Sequence, residues 1–238
     1  MYDFRGRVAV VTGAAGNLGG ILAHALEKTG AQLSLLDLSP DRLRETCGGL
    51  VETDRHLLLG SVDLTEEQSV VDAIKKTIER YRQIDMLFNI AGGYRAGNPV
   101  VDTLVDEWDL MLNLNARSVF LTSRAVLPHM IKQGSGHIVN IGARPGIKGV
   151  ARAAAFSAAK SAVLRLTESI SAEVKQKGIH VNAVIPGTID TPENRRTKAD
   201  ADRSTWVSPE ALCDVILFLA SNAAQALHGA AIPVFGTG

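Results

Sequence analysis

Cysteine is scarce in this sequence: only Cys47 and Cys213 occur, far apart and each without a second thiol nearby. That excludes a disulfide framework or a zinc ribbon and fits a reducing, cytoplasmic setting. Net charge is also missing, because 25 Lys and Arg balance 25 Asp and Glu. The chain therefore offers no basic field to nucleic acid or to an anionic membrane, and neither is expected as a partner. Long apolar runs are absent as well. The N-terminal run "VAVVT" breaks at Gly13, too soon for a membrane span, and its flanks lack the layout of a signal peptide. The six histidines are scattered, with no pair at metal-ligand spacing, so no metal site is expected.

What is present is apolar material, 46% of 238 residues, enough for one sizeable core and a single domain over 1–238. It comes in alternating forms. Short aliphatic runs ("RVAVVT", "AQLSLLD", "HLLLGSVD", "IDMLFNIAG", "GHIVNIG", "IHVNAVIPG", "AAIPVFG") alternate with amphipathic stretches at 17–29, from Ser39, at 66–82, near 104–132, through "AKSAVLRLTESISAEVKQKG" and from Pro209. Such alternation predicts βαβ units and a parallel sheet. The strand runs are apolar throughout, as expected when helices cover both faces of the sheet. The polar stretch at 190–206 reads equally as a solvated loop or as a mobile lid beside the ligand crevice.

"VAVVTGAAGNLGG" is a buried strand followed by a glycine-rich turn and a helix, the context that a dinucleotide fingerprint requires. Gly13, Gly16 and Gly19 let the backbone turn sharply and approach a pyrophosphate, and the N–H groups and dipole of the next helix attract its charge. Asn17 suits the same turn because asparagine tolerates a left-handed backbone. Asp37 ends the second strand, where a carboxylate accepts hydrogen bonds from the adenosine ribose hydroxyls and repels a 2′-phosphate. Neither Gly16 nor Leu38 supplies a cation for that phosphate, so NAD is favoured over NADP. Asp63 ends the third strand, and two readings stay open for it: accepting from the adenine amine, or capping the helix that starts near Thr65.

Taken in order, "TGAAGNLG", "NIAG" at 89–92, Asn115 in "WDLMLNLN", "HIVNIGA", Lys160 in "AFSAAK" and "PGTIDTP" at 186–192 resemble the short-chain dehydrogenase/reductase family over essentially the whole chain. The resemblance implies an α/β, doubly wound Rossmann-type sheet of about seven strands. It also implies a nicotinamide dinucleotide, a small-molecule substrate and a homo-oligomer, tetramer or dimer. By the same resemblance the turn at Gly13–Gly19, including Leu18, holds the pyrophosphate. Asp63 and Leu64 then border the adenine, and Asn89, Ala91 and Gly92 support the central strand and the adenosine side. Pro186, Gly187, Ile189 and Thr191 receive the nicotinamide.

The family's catalytic set is an asparagine, a serine, a tyrosine and a lysine. The resemblance assigns Asn115 and Lys160 to two of these roles. Where the tyrosine belongs, four residues before Lys160, stands Phe156, and where the serine belongs stands Ala143. Phenylalanine has nothing to ionise, and losing a positioned acid or base typically costs about 10² to 10⁴ in rate. A missing oxyanion donor costs about 10² to 10³ more, without the two losses having to multiply. Lys160 can still donate to the nicotinamide ribose.

Other groups stand near the altered positions. Tyr94, directly after "NIAGG", is a possible substitute phenol, with a pocket wall or a surface aromatic as its other readings. The fork of Arg144 suits an acidic substrate or a carbonyl. Arg152 and His137 suggest no role, and Trp206 reads equally as a lid contact or as core. The leading expectation is an NAD-dependent oxidoreductase for a hydroxyl or carbonyl compound with altered proton transfer. Its alternatives are a catalytically silent NAD-binding protein or partner subunit, and an engineered tyrosine-to-phenylalanine variant.

Overall fold

Val8–Thr12 (β1) is buried at every position, and its residues divide between two cores. Ala9 and Val11 join one apolar cluster and Val10 the other, which is the signature of a strand whose alternating side chains meet cover on both faces. The computed structural model describes residues 2–53 and 55–236. Met1, Asp54, Thr237 and Gly238, which the single-domain expectation includes, lie outside them.

Among the described residues six more strands join β1: Gln32–Leu36 (β2), Leu57–Leu59 (β3), Met86–Asn89 (β4), Gly136–Ile141 (β5), Ile179–Pro186 (β6) and Ala231–Val234 (β7). They form one sheet in the order β3-β2-β1-β4-β5-β6-β7, with every neighbouring pair parallel. The expected doubly wound Rossmann sheet is therefore present. Strand order reverses direction between β1 and β4, so the crevice beyond their carboxyl ends is where such a sheet takes a ligand.

The first face is covered by Asn17–Lys28 (α1) and Pro40–Cys47 (α2) through Leu18, Leu22, Leu26 and Leu43. On the second, Glu67–Tyr81 (α3) contributes Val70 and Ile74 to the cluster. Ser39 caps α2, accepting from the Arg42 N–H at 3.4 Å, and Pro40 sits in the first turn, where its missing N–H costs nothing.

The single helical stretch expected near 104–132 is interrupted. Val105–Leu112 (α4) runs into a widened turn, Asn113–Arg117, in which the Ser118 N–H reaches the Asn113 carbonyl, before Ser118–Gln133 (α5) resumes. The cause is local: the Asn115 amide donates to the Met111 carbonyl at 3.0 Å, inserting a side chain into the main-chain ladder.

Two short helices escape the sequence reading. Arg144–Ile147 (α6) leads to Ala154–Val174 (α7), which carries Phe156 and Lys160 one turn apart. The stretch at 190–206 is not irregular, because it contains Pro192–Thr197 (α8), capped by Thr191, whose hydroxyl accepts from the Asn194 N–H at 3.2 Å. Pro209–Leu219 (α9) then packs Leu212 and Ile216 into the first core. Two strand ends also move. β2 stops at Leu36, one residue before Asp37, and β3 stops at Leu59, so Asp63 lies in the loop beyond, past the left-handed Ser61 (φ 58°).

Candidate active site

The glycine turn is shaped by close approaches that exclude side chains. Gly13 has φ 65°, and a Cβ there would stand 2.8 Å from the Ala91 Cα; a Cβ on Gly19 would stand 2.1 Å from the Gly13 carbonyl oxygen. Among the described residues no side chain caps α1, so its first N–H groups and dipole face the crevice unmet by any side chain. These features fit a dinucleotide's pyrophosphate. Thr12, at the end of β1, ties the turn to β4: its hydroxyl accepts from the Ile90 and Ala91 N–H groups at 3.0 and 3.1 Å.

A cleft of about 480 Å³ opens at the switch point, within the range of small-molecule sites. It gathers Gly13, Gly16, Asn17, Leu18, Gly19, Asp37, Asp63, Leu64, Ala91 and Gly92, all expected there, together with Leu38, Arg42, Val62, Thr65, Ile90, Leu114 and Glu193. Asp37 is held in orientation, with one carboxylate oxygen accepting from the Ala15 N–H and the other from the Ser39 N–H, each at 3.0 Å. Asp63 does not cap α3, which starts at Glu67 after Glu66; it accepts from the Thr65 N–H and hydroxyl at 2.8 and 2.7 Å in the turn before that helix while lining the cleft.

Arg42 changes the electrostatic reading of this end. It lines the same cleft as Asp37 and donates to the Ala15 carbonyl at 3.4 Å. The cation absent at Gly16 and Leu38 is thus supplied from α2. Its signal is positional, since the first turn of a helix that starts just after the acidic residue folds back over the cleft.

The other expected residues do not line this cleft. Asn89 is buried and donates to the Asn140 side chain at 2.8 Å while accepting from Thr122 at 2.6 Å, a polar brace between β4, β5 and α5. Pro186 ends β6, and the Gly187 N–H donates to the Val234 carbonyl at 2.8 Å. Ile189 bridges to Val207. Thr191 borders a second cleft of about 600 Å³, which shares Gly16 and Asn17 with the first.

Asn115 is fully buried. It exchanges hydrogen bonds with Gly93, accepting from the N–H at 3.3 Å and donating to the carbonyl at 3.1 Å, which moors the loop after β4. Lys160 lies beside it: a Cβ on Gly92 would be 2.8 Å from Asn115 Oδ1 and 3.5 Å from Lys160 Nζ. The lysine is 6% exposed and donates to the Ile141 carbonyl at 2.9 Å. Burial disfavours its charged form and brings its pKa down to about 8. Gly146 makes this packing possible, since a Cβ there would meet the Lys160 carbonyl at 2.8 Å.

Phe156 is 8% exposed and packs with Met111, Ala155 and Ala143, so positions 143 and 156 form one apolar wall. Lys160 Nζ lies 5.9 Å from the Phe156 ring centroid. Tyr94 meets the same ring edge-on, with centroids 4.9 Å apart and planes at 86°. Arg144 stacks on Phe235, its guanidinium carbon 3.8 Å from the ring centroid. Arg152, without a role in the sequence reading, is left-handed (φ 61°) and its carbonyl accepts from the Gly97 N–H at 2.8 Å. His137 stacks on His180, and His180 on His228, at the opposite, amino-terminal end of the strands. Trp206 is half-buried. Among the described residues no cluster of His, Cys, Asp or Glu is built to hold a metal, and no helix is long and apolar enough to cross a membrane.

The fold and this crevice define a class, and comparison with known proteins gives it a name. Residues 7–202 match the model of the short chain dehydrogenase family, and the chain belongs to that family. It is 33% identical to a levodione reductase of Leifsonia aquatica over 98% of this chain and 94% of that protein. It is 34% identical to a 2-(R)-hydroxypropyl-CoM dehydrogenase of Xanthobacter autotrophicus over 97% of each. Among solved structures, a levodione reductase superposes with a TM-score of 0.90 at 32% identity, covering 98% of this chain and 97% of the other. An NAD+-bound xylitol dehydrogenase superposes with a TM-score of 0.90 at 27% identity, covering 98% and 99%.

Proposed function

We propose that this protein is an NAD-dependent oxidoreductase acting on a small hydroxyl or carbonyl compound, with a proton path that does not run through positions 143 and 156. The observation that carries the reading is the continuity of the crevice: the phosphate turn, the oriented Asp37 and the Gly92 edge line one cleft, with buried Lys160 directly behind Gly92. In this reading Gly13, Gly16, Asn17, Leu18 and Gly19 hold the pyrophosphate, Asp37 receives the adenosine ribose, and Asp63 and Leu64 border the adenine. Ala91, Gly92, Pro186, Gly187, Ile189 and Thr191 shape the nicotinamide end, with Asn89 bracing it. Lys160 donates to the nicotinamide ribose, and Asn115 positions the loop that carries Gly92 and Gly93. Bound there, the nicotinamide supplies the hydride chemistry.

Two groups set the cofactor preference. The Asp37 carboxylate favours ribose hydroxyls over a 2′-phosphate, and Arg42 opposes that preference without replacing it, because Asp37 keeps acceptor lone pairs free on both oxygens. Exposed Val100, Val101, Leu104, Val105 and Trp108 form an apolar strip that suits self-association; light scattering that finds only monomers contradicts this part of the reading.

The test of the activity follows absorbance of reduced nicotinamide against a panel of ketones and alcohols, with NAD and NADP in parallel. Turnover with NAD is the expected result. One observation favours a second reading, a catalytically silent nucleotide-binding protein: Phe156, Ala143, Met111 and Ala155 close into a continuous apolar cluster. In that case the unaltered chain is inactive, and turnover emerges only after Ala143→Ser combined with Phe156→Tyr.

A further inference from the structure

The loop after β4 is tied down on both sides of Tyr94. Upstream, Gly93 exchanges hydrogen bonds with the buried Asn115 side chain. Downstream, the Gly97 N–H donates to the Arg152 carbonyl at 2.8 Å, and the Arg152 guanidinium returns a longer bond to the Gly97 carbonyl at 3.4 Å. Arg152 adopts a left-handed backbone just before α7, so the second tie is anchored at the start of the helix that carries Phe156. Between the ties the Tyr94 ring stands edge-on against Phe156. Tyr94 as a whole is 68% exposed, which leaves the residue open to water.

Lys160 is less suited to proton transfer with a substrate. Its amine is buried behind the Gly92 backbone and bonded to the Ile141 carbonyl. The Arg144 guanidinium stacks on Phe235 and offers donors only. Tyr94 is the group at this wall that combines an ionisable hydroxyl, a fixed loop and access to solvent.

We propose that Tyr94 is the catalytic acid and base of this site, donating its phenolic proton to the oxygen of a carbonyl substrate that rests against Phe156. This rests on the dehydrogenase reading above. A bound reduced nicotinamide would supply hydride to the carbonyl carbon, the C=O π pair would move to oxygen, and Tyr94 would give that oxygen its proton. The phenolate then recovers a proton from water, and oxidation of the alcohol runs the same steps backwards. Ala143 and the Phe156 ring, backed by buried Met111, favour substrates with a hydrocarbon face beside the carbonyl, such as cyclic ketones.

The test compares the full-length chain with Tyr94→Phe, an exposed change whose folding is checked by thermal unfolding. With cyclohexanone and reduced nicotinamide, kcat is expected to fall by about 10² to 10⁴, while calorimetry gives an unchanged Kd for the nucleotide. Without any turnover being read, cyclohexanol binding to the NAD-saturated protein should weaken about tenfold, the effect of about one lost hydrogen bond. Adding Phe156→Tyr to Tyr94→Phe should restore activity. A Tyr94→Phe protein with unaltered turnover and cyclohexanol binding overturns the assignment and leaves the dehydrogenase reading standing. A wild-type chain that binds nucleotide but reduces no cyclic ketone also overturns it, and a chain that binds no nicotinamide nucleotide overturns both.

Discussion

The two ends of the crevice are built from different materials. At the β1–β2 end, recognition is written in backbone: glycines that admit no Cβ, N–H groups at the start of α1, and a carboxylate fixed by two main-chain donors. At the β5–α7 end, the chemistry proposed above depends on individual side chains, and there Ala143 and Phe156 form an apolar wall. The difference teaches that the two functions are separable. A nucleotide cradle made of main chain survives replacement of its neighbours, whereas a proton path changes with one oxygen.

The strongest way to break the comparison is Gly19→Ala. Its Cβ would fall 2.1 Å from the Gly13 carbonyl oxygen, so the turn itself must move. Roughly 1 to 3 kcal/mol of stability should be lost, and nucleotide affinity should drop on the order of 100-fold, about 2.7 kcal/mol. Chemical denaturation and calorimetry read these two effects. An equal response to Phe156→Ala in nucleotide affinity would erase the distinction between the two ends.

Lys160→Met sharpens it from the other side. Burial holds the folded lysine at about 8 against an ordinary 10.5, so between those values the unfolded chain binds the extra proton. Stability should therefore rise as pH climbs from 8 to 10.5, by an amount on the order of 3 kcal/mol, and should carry the full penalty at neutral pH. The methionine variant should lose that slope and unfold at a higher temperature at pH 7, while binding nucleotide more weakly. A slope that persists in the variant assigns it to other groups.

Asp37→Ala is the smallest of the three. It removes the carboxylate and leaves Arg42 in the cleft, so the preference for NAD over NADP should narrow by roughly tenfold or more, the equivalent of one charge-assisted hydrogen bond. The ratio of the two dissociation constants is the readout, and an unchanged ratio removes Asp37 from cofactor selection.

Much of the architecture was legible because it rests on local pattern. The all-apolar runs gave parallel strands, and "TGAAGNLG" gave the strand, turn and helix that Gly13–Gly19 form. Phe156 and Lys160, four apart, do share one helix. What was not legible depends on distant partners. Asn115 moors the loop after β4 through Gly93, 22 residues away. Arg42 enters the cleft only because α2 folds back beyond Ser39. Arg152 carries no local signal, since its part is to receive the Gly97 N–H from a loop 55 residues away. Apolar periodicity cannot report such ties, because each joins polar groups across the sheet's upper edge rather than within one element.

The central claim is that a nicotinamide dinucleotide docks on the glycine turn with Lys160 at its far end. Isothermal titration of the unaltered chain with NAD tests it most directly. One site per chain, with affinity weakened in both Gly19→Ala and Lys160→Met and kept in Phe156→Tyr, is the predicted result. No heat of binding from the folded, unaltered protein would contradict it.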